Sequence, residues 1–388
     1  MIANPNIRLV RGADRQGRET VIAVESPVKG SGLRRWNLVA QHATDVALLE
    51  AALPVIHGAS KAERLSADVR ARLRELGVLV NRNEVSAPSR MRCPLEAPPE
   101  GARATDDDLV VAASVHFDRN CPVPSTLARE LVLDGLDLSG PTVWVEDPVT
   151  RVVFPYRVPA RWVAALERTL DGRPAAALPA EARAAFHAAG ILVSAVERRA
   201  HAKRAAWLNG RGRELLTTQL TTTPFPLGIP PLQLRALQHH YRVLDAEGWF
   251  GHAKHAHGRS MIHDEPASVF LQRQLLPLLT ALTEKPWRTT GCYLGIYRPG
   301  SELEPHTDGG QGGLTMSLQI ELTPAVPRAR AWPLAIELPA NRGRRRVLQA
   351  RMLDGEFVTF HGTDLRHWRG PLRQDARGTF LFMNFVEA

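Results

Sequence analysis

Three residues in the last quarter of the sequence have the types and the spacing of a metal site: His306, Asp308 and His367. A His-x-Asp pair on a strand points its imidazole and its carboxylate to the same side, because side chains along a strand alternate with a period of two. His367 follows Asp308 by 59 residues, so the fold has to bring it to the pair. Two histidines with one carboxylate leave open positions on one face of the metal, which is the ligand set of oxygen-activating non-haem iron(II). The sequence therefore predicts an iron site.

Spacing alone does not identify the ligand pair, because His116 and Asp118 have the same spacing as His306 and Asp308. The surrounding sequence distinguishes the two pairs. His306 follows YLGIYRPGSELEP, which has the pattern of a strand, a Pro-Gly turn and a proline, and it precedes the strand pattern LTMSLQIEL. His367 lies in EFVTFHGTDLRHWRGP, a strand followed by a turn. We therefore expect the later pair to bind the metal. His361, six residues before His367, is the competing candidate for the third ligand.

Further residues surround the three ligands in a fixed order over residues 285–388. One group follows the pattern Y-x-x-G-x-x-x-x-x-H-x-D, a second follows D-G-x-x-x-x-F with a later histidine, and a third places a basic and a hydroxyl residue on the last strand. The matching residues are Tyr297, Gly300, His306, Asp308, Asp354, Gly355, Phe360, His367, Arg377 and Thr379. The segment resembles the prolyl-4-hydroxylase-like branch of the 2-oxoglutarate oxygenases.

This resemblance implies a double-stranded β-helix that uses iron(II), 2-oxoglutarate and dioxygen and that releases succinate. It implies that Arg377 holds the far carboxylate of 2-oxoglutarate as a charge-assisted pair, supported by Thr379. Tyr297 or Tyr293 would donate a further hydrogen bond to that carboxylate. Because R-x-T on a strand points both side chains the same way, we favour Arg377 for this role.

Two features depart from the family pattern. The glycine-rich GGQGG after Asp308 stands where relatives often carry bulkier groups, so the shape of the pocket is open. The segment GPLRQDARGT is rich in charge, and Arg369 or Arg373 remains an alternative to Arg377 as the carboxylate partner.

The pattern of the C-terminal half favours an α+β fold. PPLQLRALQHHYRVLDAEGW and PASVFLQRQLLPLLTALTEK have amphipathic helical spacing, and short strand patterns separated by Gly, Pro and Asp follow after Trp287. Helices followed by six or more short strands predict a jelly roll with supporting helices. We assign residues 201–388 to this oxygenase domain.

The N-terminal half contains a weak internal repeat. Residues 46–80 resemble residues 159–193 when Gly77 is aligned with Gly190, which places Leu73 on Phe186. Each copy has the pattern of two helices, a glycine and a short strand, "GVLV" or "GILV".

This pattern resembles a winged-helix unit and the precursor-peptide recognition domains attached to enzymes that modify ribosomally made peptides. We therefore expect an N-terminal α/β region with winged-helix-like units at residues 1–100 and 101–200. The alternative is that two helical units merely pack on the catalytic domain.

Composition and charge limit the classes of partner that we expect. The net charge of +9 and the pI near 10.1 suit an acidic partner, but the basic runs lack the interleaved aromatic residues that single-strand binding needs, so we do not expect nucleic acid. We find neither an apolar stretch of about 18 residues nor a secretory signal, which predicts no membrane association and a cytoplasmic protein. The cysteines, Cys93, Cys121 and Cys292, suit free thiols.

These observations predict an iron(II)- and 2-oxoglutarate-dependent dioxygenase that hydroxylates an amino-acid side chain, in a peptide or protein substrate held by the N-terminal half. An alternative keeps the cofactors and acts on a small or carrier-bound molecule, by hydroxylation, desaturation or cyclisation. A second alternative is a non-enzymatic winged-helix regulator with a degenerate jelly roll. The histidines of GHAKHAHG, with His263, suit a solvated or substrate-facing loop better than a second metal site.

Overall fold

The computed structural model describes residues 2–3, 7–13, 19–25, 35–39, 43–56, 61–75, 78–81, 89–96, 108–121, 123–124, 131, 133–218, 224–252, 258–309, 313–341 and 344–388. No helix in these ranges is long and apolar enough to cross a bilayer. The three cysteines are free thiols, as predicted.

Two units with the same element order make up the N-terminal half. The first consists of β1 (Ile2–Ala3), β2 (Ile7–Ala13), β3 (Glu19–Glu25), β4 (Arg35–Val39), α1 (Ala43–Ile56), a 3₁₀ turn (Ala62–Arg64), α2 (Ala67–Glu75) and β5 (Leu79–Val80). The second consists of β6 (Val110–Val111), β7 (Val115–Phe117), β8 (Thr142–Glu146), β9 (Val153–Arg157), α3 (Ala160–Leu170), a 3₁₀ turn (Ala175–Ala177), α4 (Ala180–Ala188) and β10 (Leu192–Val193).

The repeat predicted from the sequence is present in the structure. A shift of 113 residues, the one that aligns Gly77 with Gly190, carries the 3₁₀ turn, α2 and β5 onto the second 3₁₀ turn, α4 and β10. The aligned side chains of Leu73 and Phe186 are both fully buried. At Gly190 the backbone has φ +74°, which ends α4 as a left-handed cap, with its amide bonded to the carbonyl of His187.

The winged-helix expectation is not supported. In each unit a three-stranded antiparallel sheet precedes the helix pair, and the closing strand pairs with the first strand of its own unit, β5 with β1 and β10 with β6. A winged helix instead places a strand hairpin after its helices. The sequence alignment began at the first helix and so did not include the strands before it.

The remaining elements form the C-terminal half. They are α5 (Ala195–Thr218), β11 (Phe225–Pro226), α6 (Pro231–Ala246), β12 (Gly251–His252), β13 (Arg259–His263), α7 (Pro266–Gln274), α8 (Leu276–Thr283), β14 (Trp287–Tyr297), β15 (Leu303–His306), β16 (Leu314–Thr323), a 3₁₀ turn (Arg328–Arg330), β17 (Leu334–Asn341), β18 (Arg344–Ala350), β19 (Glu356–Phe360), β20 (His367–Arg369) and β21 (Arg377–Glu387).

From β14 onward the chain alternates between two antiparallel sheets. The larger has seven strands in the order β11-β19-β16-β21-β14-β13-β12, and the smaller has four in the order β15-β20-β17-β18. Strands that alternate between two facing sheets in this way form a jelly roll, as the sequence predicted.

Two hydrophobic cores lie on opposite faces of the larger sheet. One fills the roll and includes Tyr297, Trp332, Phe360 and Phe380. The other covers the outer face of the sheet and runs without a break from Met91 to residues of β21, so the second unit and the roll share it. The boundary drawn between residues 200 and 201 falls inside α5.

A buried contact between a histidine and a glutamate joins two helices of the outer core. Glu265 caps α7 by accepting hydrogen bonds from the amides of Ala267 and Ser268, and His240 of α6 approaches the same carboxylate at 3.1 Å. Burial by itself raises the pKa of Glu265, but His240 and the two amides outweigh it, and the net pKa lies below its usual value. The pair therefore stabilises the fold above about pH 4.3, and this is lost as the pH falls through the lowered pKa.

We expect Glu265→Ala to lower the free energy of unfolding at pH 7 by about 3–5 kcal/mol, because it removes one partner of a buried pair together with a helix cap. Urea unfolding measures the change. The control is Glu181→Ala in the exposed first turn of α4, which we expect to stay within about 0.5 kcal/mol of the unchanged protein. Equal effects of the two substitutions would contradict the assignment.

Candidate metal centre

The roll brings His306, Asp308 and His367 together at one end of the two sheets. Their ligand atoms all lie within 4.8 Å of one another, and one oxygen of Asp308 is 3.8 Å from Nε2 of His306 and 3.5 Å from Nε2 of His367. His306 and His367 face each other across β15 and β20. No second group of three potential ligands occurs in the part of the chain that the structure describes.

Both histidines are oriented by backbone carbonyls. Nδ1 of His306 lies 2.8 Å from the carbonyl oxygen of Glu304, and Nδ1 of His367 lies 2.9 Å from that of Leu365. A carbonyl can only accept, so in the neutral ring each Nδ1 carries the proton and each Nε2 keeps its lone pair. This is the usual outer support of a metal-binding histidine. Burial, and then the neighbouring His367, lower the pKa of His306 and favour this neutral form.

Asp308 is held in place from its other side. Thr315 at the start of β16 donates its hydroxyl to Oδ2 at 2.5 Å, and the amide of Asp308 donates to the carbonyl of Gly362 at 2.8 Å. A Cβ at Gly362 would lie 1.8 Å from Oδ2 of Asp308, so only glycine fits there. Burial raises the pKa of Asp308, but His367, Thr315 and His306 outweigh it, and the net pKa is lowered. The group is therefore an anionic ligand at neutral pH.

The two tyrosines singled out in the sequence point into the roll. Tyr293 and Tyr297 share one face of β14 with Gly295. In the pairing with β21, Tyr293 lies opposite Phe382 and Tyr297 lies opposite Gly378. The ring of Tyr293 stacks on that of Phe382 with centroids 4.8 Å apart. Burial and then the nearby Asp308 carboxylate raise the pKa of Tyr293, so its hydroxyl remains a neutral hydrogen-bond donor.

Arg377 and Thr379 lie on the opposite face of β21 from the roll interior. They alternate with Phe380, which is inside, and share the face of Leu381, which belongs to the outer core. The guanidinium of Arg377 pairs with Asp245 of α6 at 3.2 Å and with Glu321 at 3.6 Å. The structure thus does not bring these two residues to the three metal ligands.

Arg369, the alternative weighed in the sequence, does point into the roll. It lies two residues after His367 on β20, is 1% exposed, and holds its guanidinium carbon 4.1 Å from the ring centroid of Phe380 and 4.9 Å from that of Trp332. Its Nη1 donates to the carbonyl of Trp332, while Nε and Nη2 have no partner among the described residues. Desolvation lowers the pKa of Arg369 to about 10, with Tyr297 opposing it, so the side chain is a cation at neutral pH.

A second arginine, Arg259 of β13, lies beside the tyrosines. Its Nη1 donates to the hydroxyl of Tyr297 at 3.0 Å, and its guanidinium carbon lies 5.9 Å from the ring centroid of Tyr293. Its buried Nε has no partner in the described part of the chain. The roll interior thus holds two cations and two phenols behind the metal ligands, a suitable lining for a small dianion.

No other histidine in the described part of the chain belongs to the cluster. His361 is on the turn after β19 and is not among the grouped ligands, and His116 on β7 pairs in register with Trp144. The ring of His263 lies beside that of Tyr293, with centroids 5.4 Å apart. The side chain of His252 and residues 253–257, including His255 and His257, lie outside the described residues.

Sequence reasoning missed Thr315, Gly362 and Arg259. A signal existed for the first, because Thr315 opens the strand after GGQGG and shares the inward face of Ser317. For Arg259 the signal was its place in RSMIH, where Arg259, Met261 and His263 share one face of the strand next to the edge of the larger sheet. Gly362 gave no signal, because its need for glycine arises from the approach of Asp308.

No family model matches the sequence, and no curated protein matches it. The structure is similar to a prolyl-4-hydroxylase from Pseudomonas putida, with 16% identity over 47% of this chain and 100% of that chain and a TM-score of 0.38. It is similar to an oxidoreductase of the 2OG-Fe(II) oxygenase family from Burkholderia pseudomallei, with 11% identity over 46% and 90% of the two chains and a TM-score of 0.36.

A third similar structure is HygX from Streptomyces hygroscopicus with nickel and 2-oxoglutarate bound, with 11% identity over 46% and 87% of the two chains and a TM-score of 0.37. At these identities and TM-scores the likenesses carry no conclusion about the activity of this chain.

Proposed function

We propose that this chain is an iron(II)- and 2-oxoglutarate-dependent dioxygenase, with His306, Asp308 and His367 as the metal ligands. The observation that carries the proposal is the geometry of these groups: two imidazoles, each oriented at Nδ1 by a backbone carbonyl, converge with one anionic carboxylate within 4.8 Å. Two nitrogen ligands and one oxygen ligand on one face suit iron(II) and leave the other positions open.

The lining of the roll suits 2-oxoglutarate as the second group. The ligand is a dianion, and a fully buried cation with unpaired N–H groups stands behind the metal ligands at Arg369. Burying such a charge without an anion is costly, so its presence favours a resident carboxylate. Arg369, aided by Arg259 and the hydroxyls of Tyr293 and Tyr297, would hold the carboxylate that is remote from the metal.

When bound at these residues, iron(II) and 2-oxoglutarate would supply the oxidation of a C–H bond by dioxygen, with release of succinate and carbon dioxide. The chain's own residues orient and protect this chemistry. Phe360, Phe380 and Phe382 exclude water from the carboxylate end, whereas the side chain of His306, which is 37% exposed, marks the solvent side from which a substrate enters.

We further propose that the substrate is an amino-acid side chain in a peptide or protein, held in part by the N-terminal half. Two features support this. The cluster is open to solvent at His306, and the second repeat unit packs on the outer face of the sheet, where a cavity shares no lining residue with the cluster. A remote docking site contributes binding energy that a small substrate does not use.

The proposed activity is tested by oxygen-dependent conversion of 2-oxoglutarate to succinate. We expect the purified protein to form succinate only when iron(II) and dioxygen are both supplied, slowly alone and faster with substrate. Peptides encoded beside the gene are the first candidates, with mass spectrometry to detect the addition of one oxygen atom. Succinate formation that is equal without iron(II) would contradict the proposal, and acceleration by free amino acids alone would favour a small substrate.

A further inference from the structure

The two carboxylate oxygens of Asp308 have different surroundings. Oδ1 is the oxygen that faces the two imidazoles, 3.8 Å from Nε2 of His306 and 3.5 Å from Nε2 of His367. Oδ2 faces the larger sheet, where the hydroxyl of Thr315 donates to it at 2.5 Å. A Cβ at Gly362 would lie 1.8 Å from this same oxygen, so the backbone closes that side of the carboxylate. The surroundings therefore give Oδ1 the place of a ligand atom and Oδ2 a supporting contact.

The hydroxyl of Thr315 has only one proton to donate. The residue is buried, and its hydroxyl offers that proton and two acceptor lone pairs. A carboxylate oxygen can only accept, so the short contact with Asp308 places the proton between the two groups. Any further hydrogen bond of this hydroxyl must be one that its oxygen accepts. A neighbour that completes the contact therefore has to be a donor.

Asn384 of β21 is placed to be that donor. It lies directly opposite Thr315 in the pairing of β16 with β21, and it shares the inward face of Phe382. Oδ1 of its side-chain amide is 3.3 Å from Oγ1 of Thr315. A half-turn of the amide exchanges its oxygen and nitrogen at nearly the same positions, and the hydrogen-bond partners decide between the two orientations. Because the proton of Thr315 is taken by Asp308, the favoured orientation places Nδ2 beside Oγ1, to which it donates.

The backbone at Asn384 is held from the outer core. The side chain of Gln272 on α7 is buried, and its Nε2 donates to the carbonyl of Asn384 at 3.0 Å and to that of Gly291 at 2.9 Å. Gly291 lies opposite Asn384 on β14, so one amide group ties both strands to the helix. The strand position that carries the Asn384 side chain is thereby fixed.

We propose that Asn384 is a positioning residue for the metal ligand Asp308 and that it acts through Thr315. Asn384 donates to Thr315, and Thr315 donates to Oδ2 of Asp308, so that Oδ1 alone is left for the metal. Two imidazoles and one carboxylate oxygen then occupy three positions, and the others stay open. An Oδ2 that was free to turn toward the metal would fill one of those positions. The identity of the ligands in this inference rests on the proposed function.

An amide suits this role chemically. Asparagine is neutral, so it directs the hydroxyl of Thr315 without adding a charge beside the ligands. Hydrogen bonds in a chain polarise one another, and a hydroxyl that accepts from an amide is a stronger donor to the next group. The chain therefore holds Oδ2 of Asp308 more firmly than Thr315 would alone.

The test measures cobalt(II) binding to the full chain by calorimetric titration, without 2-oxoglutarate and without turnover. Thr315→Val removes the hydroxyl at nearly constant volume and should weaken cobalt(II) binding at least about tenfold, as expected when an outer partner of a metal ligand is lost. Thr315→Ser keeps a hydroxyl and should stay within about threefold of the unchanged protein. The matched control is Thr359→Val, the same substitution at a buried threonine of β19 that lies opposite Met316 of the outer core. It should change cobalt(II) binding less than about twofold.

A double-mutant cycle tests Asn384 itself. Asn384→Leu removes the donor and keeps a side chain of similar size, and it should weaken cobalt(II) binding about threefold to tenfold, because one hydrogen bond is lost. In the Thr315→Val protein the same change should have an effect of less than about twofold, since the hydroxyl that couples the two residues is gone. An asparagine with a merely structural role would cost the same in both proteins. Thermal unfolding of each variant without metal separates a change in stability from a change at the site.

The proposal is overturned if Asn384→Leu has equal effects with and without the Thr315 hydroxyl, or if Thr315→Val and Thr359→Val weaken cobalt(II) binding equally. Asn384→Ala takes the place of Asn384→Leu in the cycle if the larger side chain prevents folding. If the unchanged protein binds no cobalt(II), the ligand assignment is wrong and this inference falls with it. If the protein binds cobalt(II) and forms succinate but the cycle shows no coupling, only the role of Asn384 is wrong.

Discussion

Asp308→Ala should abolish the joint binding of iron(II) and 2-oxoglutarate. Asp308 is the anionic member of the candidate ligand set, and both histidines face its carboxylate. Loss of a residue that only supports a ligand costs roughly 10–100-fold in metal affinity, and loss of a ligand should cost more. Anaerobic mixing of the unchanged protein with iron(II) and 2-oxoglutarate should give the weak visible charge-transfer band of a metal-bound keto acid, and the variant should give none.

The control for this prediction is His361→Ala. His361 is half-buried on the turn after β19 and was the competing candidate for the third ligand, yet it lies outside the grouped ligands. We expect its removal to leave the absorbance band in place, and we expect His367→Ala to remove it. If Asp308→Ala keeps the band, or if His361→Ala loses it, the assignment of the ligands is wrong.

The three residues of the candidate metal centre could be grouped from the sequence because each carries a local signal. His306 and Asp308 stand at the end of a strand after a Pro-Gly turn, and His367 begins a short strand after a second turn. The antiparallel roll follows from the run of short apolar segments. The local sequence does not show that the two distant strands carrying the histidines lie side by side. The order of the motifs implies it through the family resemblance.

Which of the candidate arginines points into the roll could not be decided in the same way. Arg377 and Thr379 do point to one side, as R-x-T predicts, but β21 is buried on both faces because the outer core covers the larger sheet. A strand buried on both faces has no apolar alternation to show which side is the interior. Only the register with β14 and β16 reveals that Gly378 and Phe380 point inward.

The repeat could be predicted from the sequence because its signals are local. Helices and their caps are local, so the spacing around Gly77 and Gly190 was legible, whereas strands β2 to β4 and β7 to β9 depend on pairing between segments. The division into domains remains a proposal. A fragment that begins at residue 201 would cut α5 and expose the part of the outer core that the second unit covers, including the contact of Trp144 with Phe270.

Arg369→Met should separate a role in binding 2-oxoglutarate from a role in stability. The substitution removes the charge and keeps an apolar chain of similar length between Phe380 and Trp332. A charge-assisted hydrogen bond contributes about 1.5–3 kcal/mol, so the dissociation constant of 2-oxoglutarate should rise at least about tenfold. Calorimetric titration of 2-oxoglutarate into the nickel(II)-loaded protein measures it without turnover.

The same substitution, Arg369→Met, should not destabilise the metal-free protein. The pKa of Arg369 is lowered to about 10 by desolvation, below its value in the unfolded chain, so at neutral pH the folded state bears the cost of an incompletely paired buried cation. Replacing such a cation with an apolar side chain is often neutral or stabilising. We therefore expect the Tm of the variant without ligand to be unchanged or higher. A purely structural arginine would instead lower Tm on removal and leave 2-oxoglutarate binding unchanged.

Arg377→Met is the matched comparison, because it makes the same substitution at the arginine that the family resemblance implies. In the structure Arg377 joins β21 to α6 through Asp245, so its loss should lower Tm slightly and change the dissociation constant of 2-oxoglutarate less than about twofold. The opposite pattern, with weak 2-oxoglutarate binding in Arg377→Met and normal binding in Arg369→Met, would return the role to the last strand. It would also leave the two unpaired nitrogens of Arg369 without a ligand to account for them.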